Sequence, residues 1–423
     1  MIGTVKYKDF ISAIKWHLIG INLPFISKIN SKVHFNYLTN CATYNFSQNF
    51  RTMKLIKYFF FLPASVVLLL LACNNTTTNP LQSGNWVTRS ESPANARFQA
   101  ISFTVGDTAY VGTGYDGSVR YNDLWSFNIS NSWQQKAYMP SSGADSAPAR
   151  NGAVAFAIGK TGYITTGTDG YNKFTDTWAY NVSTNSWSKK ANFASGASPV
   201  VTGRYGATAF AIGNYGYVTC GYDNEYKKDL WRYDPSTDSW SAMAPLGTTS
   251  TTPPTTSGGP VYSNAGFKRM MAISFVHTDK TTGKTLGYVV TGLGSGGTNI
   301  NDFWAYDPST NLWKGLKVIS NSSTQNYDDD YSDIIRNSGV GFVMGDSAYV
   351  TAGVNGGYTQ KTWAYDFNTD LWSRKSNFER SGREGGVAFV INSRGFVSLG
   401  KASGTYFDDL EEFQPYTALN TDD

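Results

Sequence analysis

Residues 302–313 read Asp-Phe-Trp-Ala-Tyr-Asp-Pro-Ser-Thr-Asn-Leu-Trp, and the same pattern recurs along the chain. Aromatic residues alternate with other residues on both sides of a turn that contains Asp, Pro and Asn. Such a turn between two alternating segments predicts a β-hairpin. Related copies begin at Asp123, Asp176, Asp229 and Lys361 and reach their second tryptophan at Trp133, Trp187, Trp240 and Trp372. We therefore expect a fold built from a repeated unit.

A second predicted hairpin precedes each copy. In the clearest case, residues 152–158 form an alanine-rich apolar segment, and residues 162–167 form a segment that ends in glycine. An arginine stands before the first strand of every unit: Arg97, Arg150, Arg204, Arg269, Arg336 and Arg383. One unit is therefore predicted to hold four strands over about 50 residues, which is the size of a propeller blade.

The sixth unit has its third strand at residues 409–415 but no second tryptophan after it. The segment 85–89, which contains Trp86, resembles the fourth-strand segment 132–136 of the first unit. We predict that this N-terminal strand completes the last blade, which removes the open sheet edge between first and last blades. The expected fold is all-β: a six-bladed propeller over residues 86–415, with four antiparallel strands per blade and a tail at 416–423.

These features together resemble the Kelch repeat. The shared features are the leading arginine, the glycine that ends the second strand, the Asp-x-Trp-x-Tyr third strand and the fourth-strand tryptophan. One position departs from the family pattern, because the usual Gly-Gly pair is here a single glycine after another residue, as in Thr113-Gly114 and Cys220-Gly221. The resemblance implies a Kelch-like β-propeller that binds ligands on one face, over its central channel.

Residues 53–73 have the pattern of a bacterial lipoprotein leader. Lys54 and Lys57 precede an apolar run that ends in Leu70-Leu-Ala-Cys73. A basic start, an apolar stretch of about 15 residues and a small residue before the cut indicate a secretion signal rather than a spanning helix. We predict a signal peptide at 53–72. The ending Leu70-Leu-Ala-Cys73 resembles the bacterial lipobox, which implies lipidation of Cys73 and a lipid-anchored tether at 73–85.

Two expectations follow from that leader. Because a signal peptide begins a chain, residues 1–52 are expected to be an extension from a mis-assigned start. The protein is expected in the bacterial cell envelope, at the outer membrane, where it contacts the membrane through its N-terminal lipid only.

The rest of the chain is mildly acidic. Residues 1–72 contain eight of the 35 Lys and Arg residues but one of the 31 Asp and Glu residues. Residues 73–423 therefore hold 27 basic and 30 acidic residues, and nothing in them favours nucleic acid. We expect a monomer.

Metal and redox chemistry find little support in the sequence. The three cysteines show neither a disulfide pattern nor a metal-ligand spacing, and His277 is the one histidine after Cys73. Galactose oxidase has a related fold, but its copper site needs two histidines and a Tyr–Cys crosslink. We therefore exclude copper oxidase activity and expect neither a metal nor another cofactor.

In a propeller of this kind, the loops between second and third strands share a face with the loops that join blades. Here those 2–3 loops place tyrosines among carboxylates and amides, as a sugar site requires, because aromatic rings cover C–H faces and polar groups bind hydroxyls. The alternative is that the Asp-Gly and Asn-Gly pairs simply form turns. The candidate ligand-binding residues are Tyr115, Asp116, Asp169, Tyr171, Asp223, Tyr226, Asn355, Tyr358 and Tyr406.

Two other groups of residues have competing interpretations. The six arginines recur once per blade, which favours a structural role, but they could also form a ring for an anionic ligand. The residues for that anionic alternative are Arg204, Glu225, Arg383 and Glu384. The loop Asp328-Asp329-Asp330 could hold calcium, although it lacks the spacing of an EF-hand and is expected to be a solvated acidic loop.

The sequence favours a non-enzymatic function. We expect an envelope-anchored Kelch-repeat module that presents one propeller face to a glycan or a protein partner. The alternative is a sugar mutarotase or epimerase similar to bacterial N-acetylneuraminate epimerase, which would use Glu225 or Glu384 as an acid/base group beside Arg204 or Arg383.

Overall fold

The computed structural model of the chain describes residues 83–142, 146–250, 257–420 and 422. Within these residues, six four-stranded antiparallel sheets form the six blades of a β-propeller. This architecture confirms the predicted fold class. The predicted extension, signal peptide and Cys73 lie outside the described residues. Among the residues that are described, no helix is long and apolar enough to span a membrane.

The first strand of the chain, β1 (Ser83–Thr88), belongs to the last blade, and blades one to three follow it in order. Blade one comprises β2 (Ile101–Val105), β3 (Thr108–Gly112), β4 (Leu124–Asn128) and β5 (Trp133–Gln135). Blade two comprises β6 (Val154–Ile158), β7 (Thr161–Thr165), β8 (Thr177–Asn181) and β9 (Ser186–Lys190). Blade three comprises β10 (Tyr205–Ile212), β11 (Tyr215–Tyr222), β12 (Leu230–Asp234) and β13 (Ser239–Met243).

The remaining blades repeat this plan with longer connections. Blade four comprises β14 (Ile273–Thr278), β15 (Thr285–Val290), β16 (Phe303–Asp307) and β17 (Leu312–Gly315). Blade five comprises β18 (Val340–Met344), β19 (Ser347–Thr351), β20 (Thr362–Asp366) and β21 (Leu371–Lys375). Blade six comprises β22 (Val387–Ile391), β23 (Arg394–Ser398), β26 (Leu410–Ala418) and β1, with the short ribbon β24 (Lys401–Ala402) and β25 (Thr405–Tyr406) in its 2–3 loop. Short 3-10 turns lie at Ser295–Gly297, Asn326–Asp328 and Tyr331–Ile334.

The N-terminal strand closes the propeller as predicted. β1 pairs antiparallel with β26, and Trp86 lies opposite Phe413 in that pairing. The Trp86 ring is completely buried, 4.7 Å from the Phe413 ring and 4.9 Å from the Phe378 ring of the preceding blade connection. Closure therefore joins the two ends of the described chain through strand hydrogen bonds and a buried aromatic cluster.

Adjacent blades pack through aromatic rings on glycine. A Cβ atom on Gly162 of blade two would lie only 2.1 Å from the Phe103 ring of blade one. Phe103 also stacks on Tyr110 of its own blade, with ring centroids 5.0 Å apart. Any side chain at position 162 would therefore push the two blades apart, which explains the glycine near the start of the second strand.

A closed circle of backbone hydrogen bonds surrounds the propeller axis. One residue per blade donates its N–H to the carbonyl oxygen of the corresponding residue in the preceding blade, at 2.7–3.1 Å. All six residues have φ between 52° and 64°. We call them the axial ring: Gln99, Gly152, Gly206, Met271, Ser338 and Gly385. This ring fixes the start of all six first strands relative to each other.

Each blade is also anchored by its leading arginine, which is fully buried. The guanidinium donates to the carbonyl oxygen of the residue before the second-strand glycine, for example from Arg150 to Thr166 at 3.0 Å. In five blades it also pairs with the aspartate that begins the third-strand motif. These pairs are Arg97–Asp123, Arg150–Asp176, Arg204–Asp229, Arg269–Asp302 and Arg383–Asp409.

The same aspartate explains the spacing of the Asp-x-Trp motif. In blades one to three, its second carboxylate oxygen accepts the indole N–H of the tryptophan two residues later, at 2.7–3.0 Å. One carboxylate thus accepts hydrogen bonds from both a buried guanidinium and an indole N–H.

Candidate functional site

The 2–3 loops meet the axial ring at one end of the central channel. The residue before each ring residue pairs through its backbone with the start of its blade's 2–3 loop, as in Phe98 with Tyr115 and Glu384 with Lys401. The side chains next to the axis on this face therefore come from both segments of each blade. We call this opening the mouth of the channel.

A tyrosine cluster occupies the mouth at blade three. It consists of Tyr205, Tyr222 and Tyr226, whose rings meet edge to face with centroids 5.8 Å and 5.2 Å apart. All three side chains are partly exposed. Desolvation, helped by the neighbouring Tyr222, raises the pKa of Tyr205 above its ordinary value, which already keeps the hydroxyl protonated at neutral pH. The cluster offers aromatic faces and hydroxyls to a ligand at the same place.

Sequence reasoning identified Tyr226 but missed the other two members of the cluster. Tyr222 stands at the end of β11, and Tyr205 comes directly after the blade-three arginine. The position after each arginine was a usable signal, because the repeat places it next to the axial ring in every blade.

The opposite side of the mouth combines aromatic rings with paired charges. The Phe98 ring lies 6.1 Å from that of Tyr115 and 5.9 Å from that of Tyr406. The Lys401 ammonium lies 4.0 Å from the Phe98 ring centre and 3.6 Å from the Glu384 carboxylate. Two of the predicted ligand residues, Tyr115 and Tyr406, are therefore brought together here by blades one and six.

Arg120 extends this side of the mouth toward blade two. Its guanidinium covers the Tyr115 ring at 4.3 Å and donates to the Asn151 side-chain oxygen at 2.7 Å. Asn151 in turn donates to the Gln99 side chain at 2.5 Å. Sequence analysis did not select Arg120, Asn151 or Gln99, because they lie in different segments that meet only when blade one packs against blade two.

The predicted aspartates shape the loops. Asp116 accepts the backbone N–H groups of Ser118 and Val119 at 2.8 and 2.6 Å, and Asp169 does the same for Tyr171 and Asn172. These hydrogen bonds outweigh the effect of desolvation and lower the pKa of both carboxyl groups. The arrangement is that of turns closed by an Asp side chain, the alternative considered from the sequence.

Asp223 is also engaged within its own loop region. It accepts the Thr202 hydroxyl hydrogen at 2.5 Å and lies 3.0 Å from the Lys227 ammonium. Despite desolvation, these contacts lower its pKa. Asp223 therefore ties the connection between blades two and three to the 2–3 loop of blade three.

The remaining predicted loop residues are more exposed. The Tyr171 side chain is 93% exposed and Tyr358 is 40% exposed. Asn355 donates to the Ser332 carbonyl oxygen at 3.2 Å. These three residues add contact surface on blades two and five, outside the two clusters at the mouth.

The anionic alternative is not supported by the positions of its arginines. Arg204 and Arg383 are fully buried and pair with Asp229 and Asp409, so neither presents a guanidinium to solvent. Arg204 does line a cleft of about 460 Å³ together with Asp223 and Glu225, but its charge there is already matched by Asp229. The carboxylate at the mouth is Glu384, and its partner is Lys401.

The acidic loop is organised by its own backbone. Asp328 is buried and accepts the N–H groups of Ser322 and Ser323 at 3.1 and 3.0 Å, together with the Ser323 hydroxyl. Asp329 and Asp330 are exposed. Among the described residues, no group of three or more His, Cys, Asp or Glu side chains is arranged to hold a metal ion.

The fold and the mouth define a class of protein, a β-propeller that serves as an interaction scaffold. Residues 68–263 match the family model described as the KLHDC2/KLHL20/DRC7 Kelch-repeats domain. Part of the chain thus matches a Kelch-repeat family model, and the described residues form a six-bladed β-propeller, as the sequence predicted. Kelch propellers generally act as modules that bind a protein or another ligand.

Solved structures agree on the fold. The structure of YjhT resembles the chain with a TM-score of 0.56 and 17% sequence identity, covering 76% of this chain and 95% of that one. At this identity the likeness shows the fold alone. No curated protein matches the chain.

Proposed function

We propose that this protein is an envelope-anchored binding module that takes a glycan at the mouth of its propeller. The observation that carries the proposal is the tyrosine cluster at the mouth, where Tyr205, Tyr222 and Tyr226 lie partly exposed beside the axis. Aromatic faces bury the C–H side of a sugar ring, and phenol groups bind its hydroxyls.

The rest of the mouth supports the same ligand class. The Asn151 amide, held by Arg120 and Gln99, supplies a polar group on blade two, beside the tyrosine cluster of blade three. The charges of Glu384 and Lys401 lie close to each other and offset one another. A mouth with aromatic rings, amides and balanced charge suits a polyhydroxylated ligand without strong net charge.

A glycan array probed with the purified protein tests this proposal. We expect binding to a defined set of neutral glycans that weakens at least ten-fold in Tyr205→Ala and in Tyr226→Ala. Tyr416→Ala is the matched control, because Tyr416 is 87% exposed near the far end of β26. A blank array, or equal loss in the control, would reject a glycan ligand and favour a protein partner.

Anchoring has a separate test. The proposal predicts that the protein fractionates with membranes and takes up a labelled fatty acid. Cys73→Ser should abolish both, because the thiol is the acylation site of the predicted leader. Fractionation that is unchanged in this variant would reject lipid anchoring and leave glycan binding untouched.

A further inference from the structure

A second cavity lies away from the mouth, at the outer junction of blades four and five. It has a volume of about 490 Å³. Ligand pockets for small molecules typically fall between about 300 and 1,000 Å³, so this cavity can hold a sugar ring. Leu286, Ala305 and Leu312 of blade four form part of an apolar floor.

Two long connections meet beside this cavity. The first joins β13 to β14, and the second joins β17 to β18. Residues 261–263 run along residues 316–318 after β17, with Ser263 donating to Leu316 and Val318 donating to Val261, both at 2.8 Å. The Thr324 backbone and hydroxyl both donate to Gly258, which joins the second long connection to the first. Within the described residues, Thr249, Ser250 and Tyr262 of the first connection line the cavity beside the outer edge of blade four.

A change in how the blades are joined leaves room at this junction. Between blades one and two, two and three, and three and four, a backbone N–H donates directly to an Asn or Asp side chain in the next 3–4 turn, at 2.9 Å. The pairs are Ala137–Asn185, Ala191–Asp238 and Ala244–Asn311. At blades four and five the corresponding residue, Asp370, is instead 3.3 Å from the Lys317 ammonium. A lysine arm is longer than a backbone amide, so the junction is joined across a wider gap.

The polar groups around the cavity leave one positive charge uncompensated. Lys284 pairs with Asp307 at 2.6 Å, and Lys317 pairs with Asp370. Within the described part of the chain, the third lysine of this region, Lys314, has no ion-pair or hydrogen-bond partner, and its side chain is exposed at the cavity. The cavity therefore favours a ligand with one negative charge.

Hydroxyl groups define the rest of the ligand. Thr249, Ser250 and Tyr262 line the same cavity, and within the described residues their hydroxyls make no hydrogen bond. Three hydroxyl groups, an ammonium and an apolar floor match a ring that has hydroxyls on its edge, C–H groups on its face and one carboxylate. We propose that this side cavity binds a hexuronic acid, free or at the end of an acidic polysaccharide.

Ligand-observed NMR titration of the purified protein tests the inference, with D-glucuronate and D-galacturonate as probes and D-glucose and D-galactose as uncharged analogues. We expect a uronate to bind at least ten-fold more tightly than its hexose. Lys314→Gln should weaken uronate binding about two- to five-fold, the range that an exposed ion pair supplies. Tyr262→Phe should weaken it by a smaller factor, because it removes one hydroxyl and keeps the ring.

Two controls separate this site from the mouth. Lys268 is another exposed lysine that has no partner among the described residues, but it lies on the 2–3 loop face. Lys268→Gln should therefore leave uronate binding unchanged. Tyr226→Ala should also leave it unchanged while it weakens neutral glycan binding. Absence of uronate binding, equal affinity for hexose and uronate, or full binding in Lys314→Gln would each overturn the proposal.

Discussion

Blades four and five have the same strand topology, but they satisfy their leading arginines in different ways. In blade four, both terminal nitrogens of Arg269 donate hydrogen bonds to the Asp302 carboxylate, and both side chains are buried. In blade five the corresponding motif position is Lys361, so Arg336 has no such carboxylate. It donates instead to the carbonyl oxygens of Asp333, Ile334, Ala352 and Lys361 at 2.8–2.9 Å.

The difference has an electrostatic consequence. Burial lowers the pKa of Arg336 to about 9 from 12.5, although Asp333 acts in the opposite direction. The indole nitrogen of Trp363 lacks a partner among the described residues, as does that of Trp304 in blade four, although Asp302 precedes Trp304. Blade five therefore keeps its fold although its leading arginine is bound less favourably. Backbone carbonyl oxygens accept part of the hydrogen bonds that an aspartate accepts in the other blades.

The long connection before blade five supplies the compensation. The Tyr331 hydroxyl donates to the Trp372 carbonyl oxygen at 3.1 Å and accepts the Trp372 N–H at 2.7 Å. Asp333 forms an ion pair with Lys361. One blade can therefore lose the repeat's buried ion pair when a neighbouring loop provides other hydrogen bonds.

The largest effect is expected from Asp302→Ala in blade four. The change leaves Arg269 charged and buried without its carboxylate, which typically costs about 3–5 kcal/mol. Equilibrium unfolding in urea measures the loss. A loss below about 1 kcal/mol would show that carbonyl oxygens suffice in blade four as well, and would remove the contrast between the blades.

The next effect is expected from Tyr331→Phe. Removal of the hydroxyl leaves the buried Trp372 N–H without its acceptor, at a cost of about 1–3 kcal/mol. Tyr327→Phe is the matched control on the same connection, because its hydroxyl makes no hydrogen bond within the described residues. The control should stay within about 0.5 kcal/mol of the unaltered protein. Equal stability of both variants would contradict the compensating role of Tyr331.

A double substitution is expected to stabilise blade five. Lys361→Asp, combined with Asp333→Asn to avoid a pair of like charges, places a carboxylate where the other blades have one. It can pair with Arg336 as Asp302 pairs with Arg269, and we expect a gain of about 1 kcal/mol from this pairing. The single variant Asp333→Asn is the control in urea unfolding.

The gain should depend on pH in a defined direction. Because the folded-state pKa of Arg336 is lowered, its burial costs stability at neutral pH. As the pH rises above about 9, the folded protein releases the proton before the unfolded chain does, and this cost falls. The advantage of the double variant should therefore be complete at pH 7 and shrink above pH 9. A gain that grows above pH 9 would contradict this explanation.

The smallest effect is expected from Asp333→Ala. Its partner Lys361 is partly exposed, and exposed ion pairs typically contribute about 0.2–1 kcal/mol. The backbone carbonyl of Asp333 remains available to Arg336 in this variant. A loss comparable to that of Asp302→Ala would mean that the side chain, not the carbonyl group, stabilises the blade-five arginine.

Much of the architecture could be predicted from the sequence because the repeat encodes local interactions. The spacing of Asp, Trp and Tyr predicted the third and fourth strands of each blade, and Trp86 identified the strand that closes the ring. The interpretation of Asp116 and Asp169 as turn residues was also open at that stage, because an Asp side chain bonds backbone groups within its own loop.

The candidate sites were less predictable. Tyr226 was selected, but Tyr205 and Tyr222 were not, although the position after each arginine would have pointed to Tyr205. The side cavity was not foreseen, because its walls come from two connections that pair with each other.

The sequence by itself determined the number of blades, their strand order and the closure by β1, since these follow from hydrogen bonds and burial repeated within each unit. Tertiary structure alone decided which side chains share the mouth and the side cavity. Phe98 and Lys401 are far apart in the chain and meet only because the ring closes. Such proximity depends on how the blades pack, and no periodic pattern in the residues records it.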